Sequence, residues 1–336
     1  MKQVLRYAAV AALALAAMPA AAQEKSKFLF GTNWYPQAEH GGFFQAKAAG
    51  IWARKGVDVD LSIGGPQVNT AQLLATGVLD FAMISNSFIP LNFAKEGIPM
   101  IAVAAVFQKD PQALIVHEES GITDLTQIKG KRVLISTDAR SSYWPFLKSK
   151  YGYVDDMARP YTYNIAPFLA DKSSIQQVYI SNEPYAATQA GARIKTFVLA
   201  DYGYQSYSHV IMTARKMVDE RPDVVQKVVE GFIEGWYEYL YGDGTPGNSA
   251  IAAANKDWTP DRTANSVKVM KEVGLVDSGD ALKIGIGAMT DARWKQFFDD
   301  AVAAGMYPAD LDYKKAYTLK FVGTGYGLDL KRKLGH

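Results

Sequence analysis

From Asn33 to Gly42 the sequence reads NWYPQAEHGG. This stretch holds Trp34, Tyr35, Gln37, Glu39 and His40, one of the chain's four histidines, and closes on Gly41 and Gly42. Rings, amides and two ionisable groups in so short a span suit a flat polar molecule, stacked on rings and read at its edge by hydrogen bonds. Three other stretches carry matching residues: Ser85-Asn86-Ser87, Ser136 to Tyr143, and Asn182-Glu183-Pro184-Tyr185. They add Tyr143 and Tyr185 as ring surfaces, and Asn86, Ser87, Ser141 and Asn182 beside Asn33 as neutral hydrogen-bonding groups. Glu183 adds a carboxylate, and Arg140 is a cation able to meet a carboxylate or phosphate. Tyr204 follows a further strand and joins the candidate set. Each has a plainer use as well: Ser and Asn after a strand cap helices, and Trp and Tyr in a first helical turn pack into cores.

Catalytic patterns are missing. There is no G-x-S-x-G, no H-E-x-x-H and no cysteine. His40, His117, His209 and His336 lack zinc-like spacing. Gly285-x-Gly287 is followed by Thr290 where a dinucleotide fingerprint needs its third glycine. No catalytic residue, metal or cofactor is therefore expected.

The elements that would position the candidates alternate between strands and helices. KFLFG (Lys27–Gly31) reads as a strand. Gly42–Lys55 reads as one helix, with Phe44, Ala48, Ile51 and Trp52 on a face. VDVDL is a strand, Asn69 caps a helix ending near Gly77, and DFAMI and IPMIAVAAVF are strands around a helix starting near Ser87. The pattern breaks at Lys109-Asp110-Pro111. A second set follows: QALIVH, a short helix over Ile122–Ile128, KRVLIS, a helix from about Ser141 to Tyr151, VYI with Asn182 as cap, and TFVLA. A long helical region follows residue 208, where WYEYLY has the spacing of a packing face. Alternation of this kind indicates mostly parallel α/β sheets. Ligands then bind beyond the carboxyl ends of strands, where all four candidate stretches fall.

Composition sets the setting. Lys2 and Arg6, an apolar run from Ala8 to Ala17, and Ala20-Ala21-Ala22 form the three parts of a secretory leader over residues 1–22. Removing it takes the formal charge from +2 to neutral, which argues against nucleic acid. Without cysteine the fold rests on its core, and a lipid-anchored form is excluded. An exported, unanchored protein in the periplasm is the expectation.

The chain resembles the periplasmic substrate-binding proteins of ABC importers. Within them it is similar to the branch that groups thiamine-pyrimidine-precursor, sulfonate and nitrate binders with yeast-type thiamine pyrimidine synthases. The resemblance rests on NWYPQAEHGGFFQAKAAGIWARKGVDV, GGPQVNTAQLLATGVLDFAMISNS, KGKRVLIS and SNEPYAATQAG. It implies a type II two-lobe binding fold: residues 23–109 with 208–336 as one lobe, 112–202 as the other, and hinges near 110 and 203–207. It also implies closure over one small molecule, transient docking on a membrane permease, and a monomer. Trp34 and His40 match the family's W-x-x-x-x-x-H loop, with Glu39 and Gly41 beside them. The synthases carry a cysteine-rich motif that this chain lacks, which disfavours an enzyme. A small-anion binder is the alternative within the same fold.

Overall fold

The computed structural model describes residues 27–336 except 66, 67, 137, 138, 141, 162 and 163. The leader and Ser141 therefore lie outside the described residues. Among the rest, ten strands form two five-stranded sheets. The first has the order β2-β1-β3-β10-β4: β1 Lys27–Gly31, β2 Asp58–Ser62, β3 Phe81–Asn86, β4 Met100–Phe107 and β10 Ser208–Ala214. The second has the order β7-β6-β8-β5-β9: β5 Gln112–His117, β6 Val133–Ile135, β7 Ala158–Pro160, β8 Ile175–Tyr179 and β9 Ile194–Val198.

The two sheets share one logic. In each, the strand reached just after a crossing inserts fourth and runs antiparallel to both neighbours, β10 between β3 and β4, β5 between β8 and β9. The chain enters each lobe from the hinge side, so the entering strand must run away from the hinge while the others run toward it. The strand ends that carry ligands in open α/β sheets therefore face one another across the crossings. This is a type II periplasmic-binding-protein architecture, with two α/β lobes, two crossings and a cleft between them. Arg293 ties the crossings together. Its guanidinium donates to the carbonyl oxygens of Gln108 and Ser206, one on each crossing, and lies 4.0 Å over the Tyr207 ring.

Sequence expectations and structure differ locally. The expected helix over 42–55 is two: Gly41–Ala48 and Ile51–Arg54, parted at Gly50, whose φ of 68° a helix cannot hold. The short helix expected at Ile122–Ile128 is a 3₁₀ turn over Leu125–Ile128, closed by the Asp124–Gln127 capping box. The WYEYLY segment packs as its spacing indicates. Trp236, Tyr237 and Tyr239 are buried on helix Pro222–Tyr241, which crosses helix Gly41–Ala48 at very short range. A Cβ on Gly41 would sit 2.0 Å from the Tyr239 ring, one on Gly42 2.2 Å from Trp236, and one on Gly235 2.2 Å from the Gly42 carbonyl oxygen. Only glycine lets these backbones approach so closely.

Candidate functional site

A cleft of about 1040 Å³ opens between the lobes. One wall is built at the carboxyl ends of β1, β2 and β3. The loop after β1 is pinned from three sides: Thr32 Oγ1 donates to the Trp34 carbonyl (3.1 Å), Thr70 Oγ1 to the Thr32 carbonyl (3.2 Å), and Asn255 Nδ2 to the Pro36 carbonyl (2.8 Å). Gly64 presses on it, and any Cβ there would meet the Thr32 carbonyl at 2.2 Å. So held, Asn33, Trp34, Tyr35 and Gln37 line the cleft. Tyr35 is 51% exposed at its mouth, edge-on to Trp34 with ring centroids 5.8 Å apart. Asn69 caps helix Thr70–Ala75 by accepting from the Gln72 N–H at 3.1 Å, and it lines the same wall.

The facing wall comes from β6, β7 and β8. Ser136, Tyr161, Gln177, Tyr179, Asn182 and Glu183 line it. Gln177 is fixed by two donors on its Oε1, the Ser136 N–H (2.7 Å) and the Tyr143 hydroxyl (2.9 Å). The Glu183 carboxyl accepts from the Tyr179 N–H at 2.8 Å and the Tyr161 hydroxyl at 3.3 Å. Burial nonetheless raises its pKa, outweighing those hydrogen bonds.

The remaining candidates stand elsewhere. Glu39, His40 and Gly41 were expected at the solute, but they are buried behind the first wall, with Glu39 and His40 at 0% and 1% exposure. Gly41 serves helix packing. His40 Nε2 donates to Asn33 Oδ1 at 3.2 Å, and Asn33 Nδ2 donates to Ser85 Oγ at 2.8 Å. Burial lowers the His40 pKa to about 3, so it supports Asn33 as a neutral ring and offers no charge. Burial raises the Glu39 carboxyl to about 7, against the Ser181 hydroxyl that donates to it at 2.5 Å.

Asn86 and Ser87 are also buried away from the cleft lining. The Asn86 side chain accepts from the Phe88 N–H at 3.0 Å, and Ser87 Oγ meets the 206–207 crossing, accepting from the Tyr207 N–H at 3.1 Å. Tyr143 lies in the core and orients Gln177. Tyr204 is buried, stacked near Phe88. Tyr185 is half-buried and outside the cleft lining. Arg140 is exposed and donates to the Ala158 carbonyl at 3.3 Å. Asn182 stands at a helix N-terminus but does not cap it; its Oδ1 accepts from Arg262 Nη2 at 2.8 Å.

Arg262 is among the cleft groups that the strand-end argument did not find. Trp258 and Arg262 flank the start of helix Pro260–Val273 and reach the cleft with Asn255 and Asp257. The Arg262 guanidinium lies 4.6 Å over the Trp258 ring. Another is His209, at the amino end of β10. It holds a φ of 49°, stacks 3.8 Å from Phe107 and 5.8 Å from His40, and burial drives its pKa well below the usual value. The amino-end position carries the one available signal: each entering strand begins at the cleft, as Gln112 on β5 also shows.

The lobes touch beside the cleft. Ser181 takes two contacts from the first lobe, giving its hydroxyl to Glu39 and accepting from Ser266 at its carbonyl (2.7 Å). Arg262 grips the next residue, Asn182.

A model of the NMT1/THI5-like family matches residues 37–242, more than half of the chain. The chain belongs to the NMT1/THI5-like family. A relative from Halalkalibacterium halodurans, a formylaminopyrimidine-binding protein, is 22% identical over 62% of this chain. That match spans 64% of the relative, less than two thirds of its length. Among solved structures, the periplasmic aliphatic sulphonate binding protein SsuA from Escherichia coli superposes with a TM-score of 0.66. It is 13% identical, and the match covers 87% of this chain and 92% of that one. The periplasmic nitrate-binding protein NrtA from Synechocystis PCC 6803 gives 0.60 at 15% identity, covering 93% and 89%. These likenesses establish the fold of the family member described here.

Proposed function

We propose that this protein is the solute-binding component of an ABC importer, acting as a monomer in the periplasm and delivering its solute to a membrane permease. The solute is a small aromatic nitrogen heterocycle of the pyrimidine class, and the protein catalyses no reaction. One observation carries the reading: rings from both lobes (Trp34, Tyr35, Tyr161 and Tyr179) line one cleft together with neutral amides (Asn33, Gln37, Gln177 and Asn182). That is a stacking surface with hydrogen-bonding edges. The name of the Halalkalibacterium halodurans relative agrees with it. The two crossings stapled by Arg293 supply a hinge for closure.

A compact inorganic anion fits less well. Arg262 is the one cation among the described lining residues, and a compact inorganic anion leaves the rings and amides of both walls unused. The test is calorimetric titration with substituted aminopyrimidines, nitrate and a short alkanesulfonate. Saturable one-to-one binding of a pyrimidine supports the reading. Binding of nitrate or the sulfonate with no response to any pyrimidine overturns it.

A further inference from the structure

The wall contributed by the C-terminal helices has chemistry that a neutral ring does not use. Arg262 is half-buried on it, yet makes no ion pair among the described residues. Its contacts are neutral: the side-chain oxygen of Asn182 at 2.8 Å, the main-chain carbonyl of Asp257 at 3.2 Å, and the Trp258 ring. Its Nε–H is buried without an acceptor. Next to it the Trp258 side chain is 4% exposed, and its indole N–H also lacks an acceptor. Trp258 and Arg262 both line the cleft, and Arg262 is the one cation among its described lining residues. A planar guanidinium braced on an aromatic face is preorganised for a carboxylate. The acidic groups nearby are Glu183, held by Tyr179 and Tyr161, Glu39 behind the first wall, both attracted by the Arg262 charge across a distance, and Asp257, which is exposed and meets Arg262 through its main chain.

We propose that Arg262, braced on the Trp258 ring, is the specificity-determining group of the cleft, and that the solute is an aromatic acid whose carboxylate meets its guanidinium. The inference rests on the solute-binding reading above and narrows its substrate class. Arg262 also holds Asn182 of the other lobe, so the residue that reads the acid is the one that touches across the cleft.

The test uses matched probes on the whole protein: pyrimidine-5-carboxylate with pyrimidine-5-carboxamide, and benzoate with benzamide. Each is titrated against wild type, Arg262→Gln and Arg262→Lys, with melting temperatures recorded to show that the variants fold. Wild type should prefer the acid by about tenfold or more, as expected for a charge-assisted hydrogen bond gained in one member of a pair. Arg262→Gln should erase the preference, and Arg262→Lys should keep part of it through charge without the fork. Equal affinity within both pairs, a preference that survives Arg262→Gln, or no binding of any probe at millimolar concentration overturns the proposal. If benzoate beats benzamide in an Arg262-dependent way while neither pyrimidine binds, the acid-reading role stands and the heterocycle reading falls.

Discussion

The loop after β1 divides into two halves that look alike in sequence and differ in duty. Its front, Asn33 to Gln37, lines the cleft with rings and amides. Its back, Glu39 to Gly42, is buried and holds the front in place through the His40–Asn33–Ser85 chain and the close packing of the glycines on Trp236 and Tyr239. Both halves are polar or aromatic, so composition does not separate them. Helical geometry does: the short 3₁₀ turn at Ala38–His40 rotates the chain inward just where its charges begin. A buried charge is costly, and the two ionisable groups respond by turning neutral in opposite senses, His40 downward and Glu39 upward in pKa.

The contrast predicts stability effects behind the wall and affinity effects in front. The largest is at the back. Gly41→Ala forces a methyl into the Tyr239 ring and should cost about 3 kcal/mol of folding stability, the upper part of the overpacking range, in urea unfolding. A variant as stable as wild type would mean that the glycine contact is soft. At the front, Trp34→Ala should weaken solute binding by about 1–3 kcal/mol, as stacking on an aromatic does elsewhere. Its unfolding midpoint should change little, and unchanged affinity in calorimetry would remove Trp34 from the binding surface.

Acid titration sharpens the comparison further. The folded pKa of His40, about 3, lies below its ordinary 6.5, so the unfolded chain takes up a proton that the folded chain refuses. Stability therefore falls as pH drops from 6.5 toward 3. Glu39 acts oppositely. Its folded pKa of about 7 exceeds the ordinary 4.5, so its contribution is full below 4.5 and lost as pH rises through 7. Glu39→Gln removes that offset and should steepen the loss of stability on acidification between pH 7 and 4.5, followed by urea midpoints. An identical pH profile would contradict a Glu39 that takes up its proton in that window. The smallest effect is Tyr35→Ala. With the ring 51% exposed, it should cost under about 1 kcal/mol of affinity.

Much of the frame was legible. β1 and β5 fall where KFLFG and QALIVH stand, Asn69 caps as its spacing indicates, and the strand-end rule located both walls. The C-terminal contribution was not legible. The sequence indicates only a long helical region after residue 208 and carries no information on where its helices dock, so the cleft-lining Arg262 and Trp258 were missed, and Arg140 was the cation singled out instead. Burial was the other blind spot: Asn86, Ser87, Tyr143 and Tyr204 are polar residues near strand ends, and local hydrogen bonds and packing turned each of them away from the cleft.

Native mass spectrometry of the purified protein, with release and identification of any bound mass, tests the central claim most directly. The account predicts one small aromatic heterocycle per chain, with the bound fraction reduced in Trp34→Ala. A stoichiometric inorganic anion or alkanesulfonate in its place, bound equally by wild type and Trp34→Ala, would contradict it.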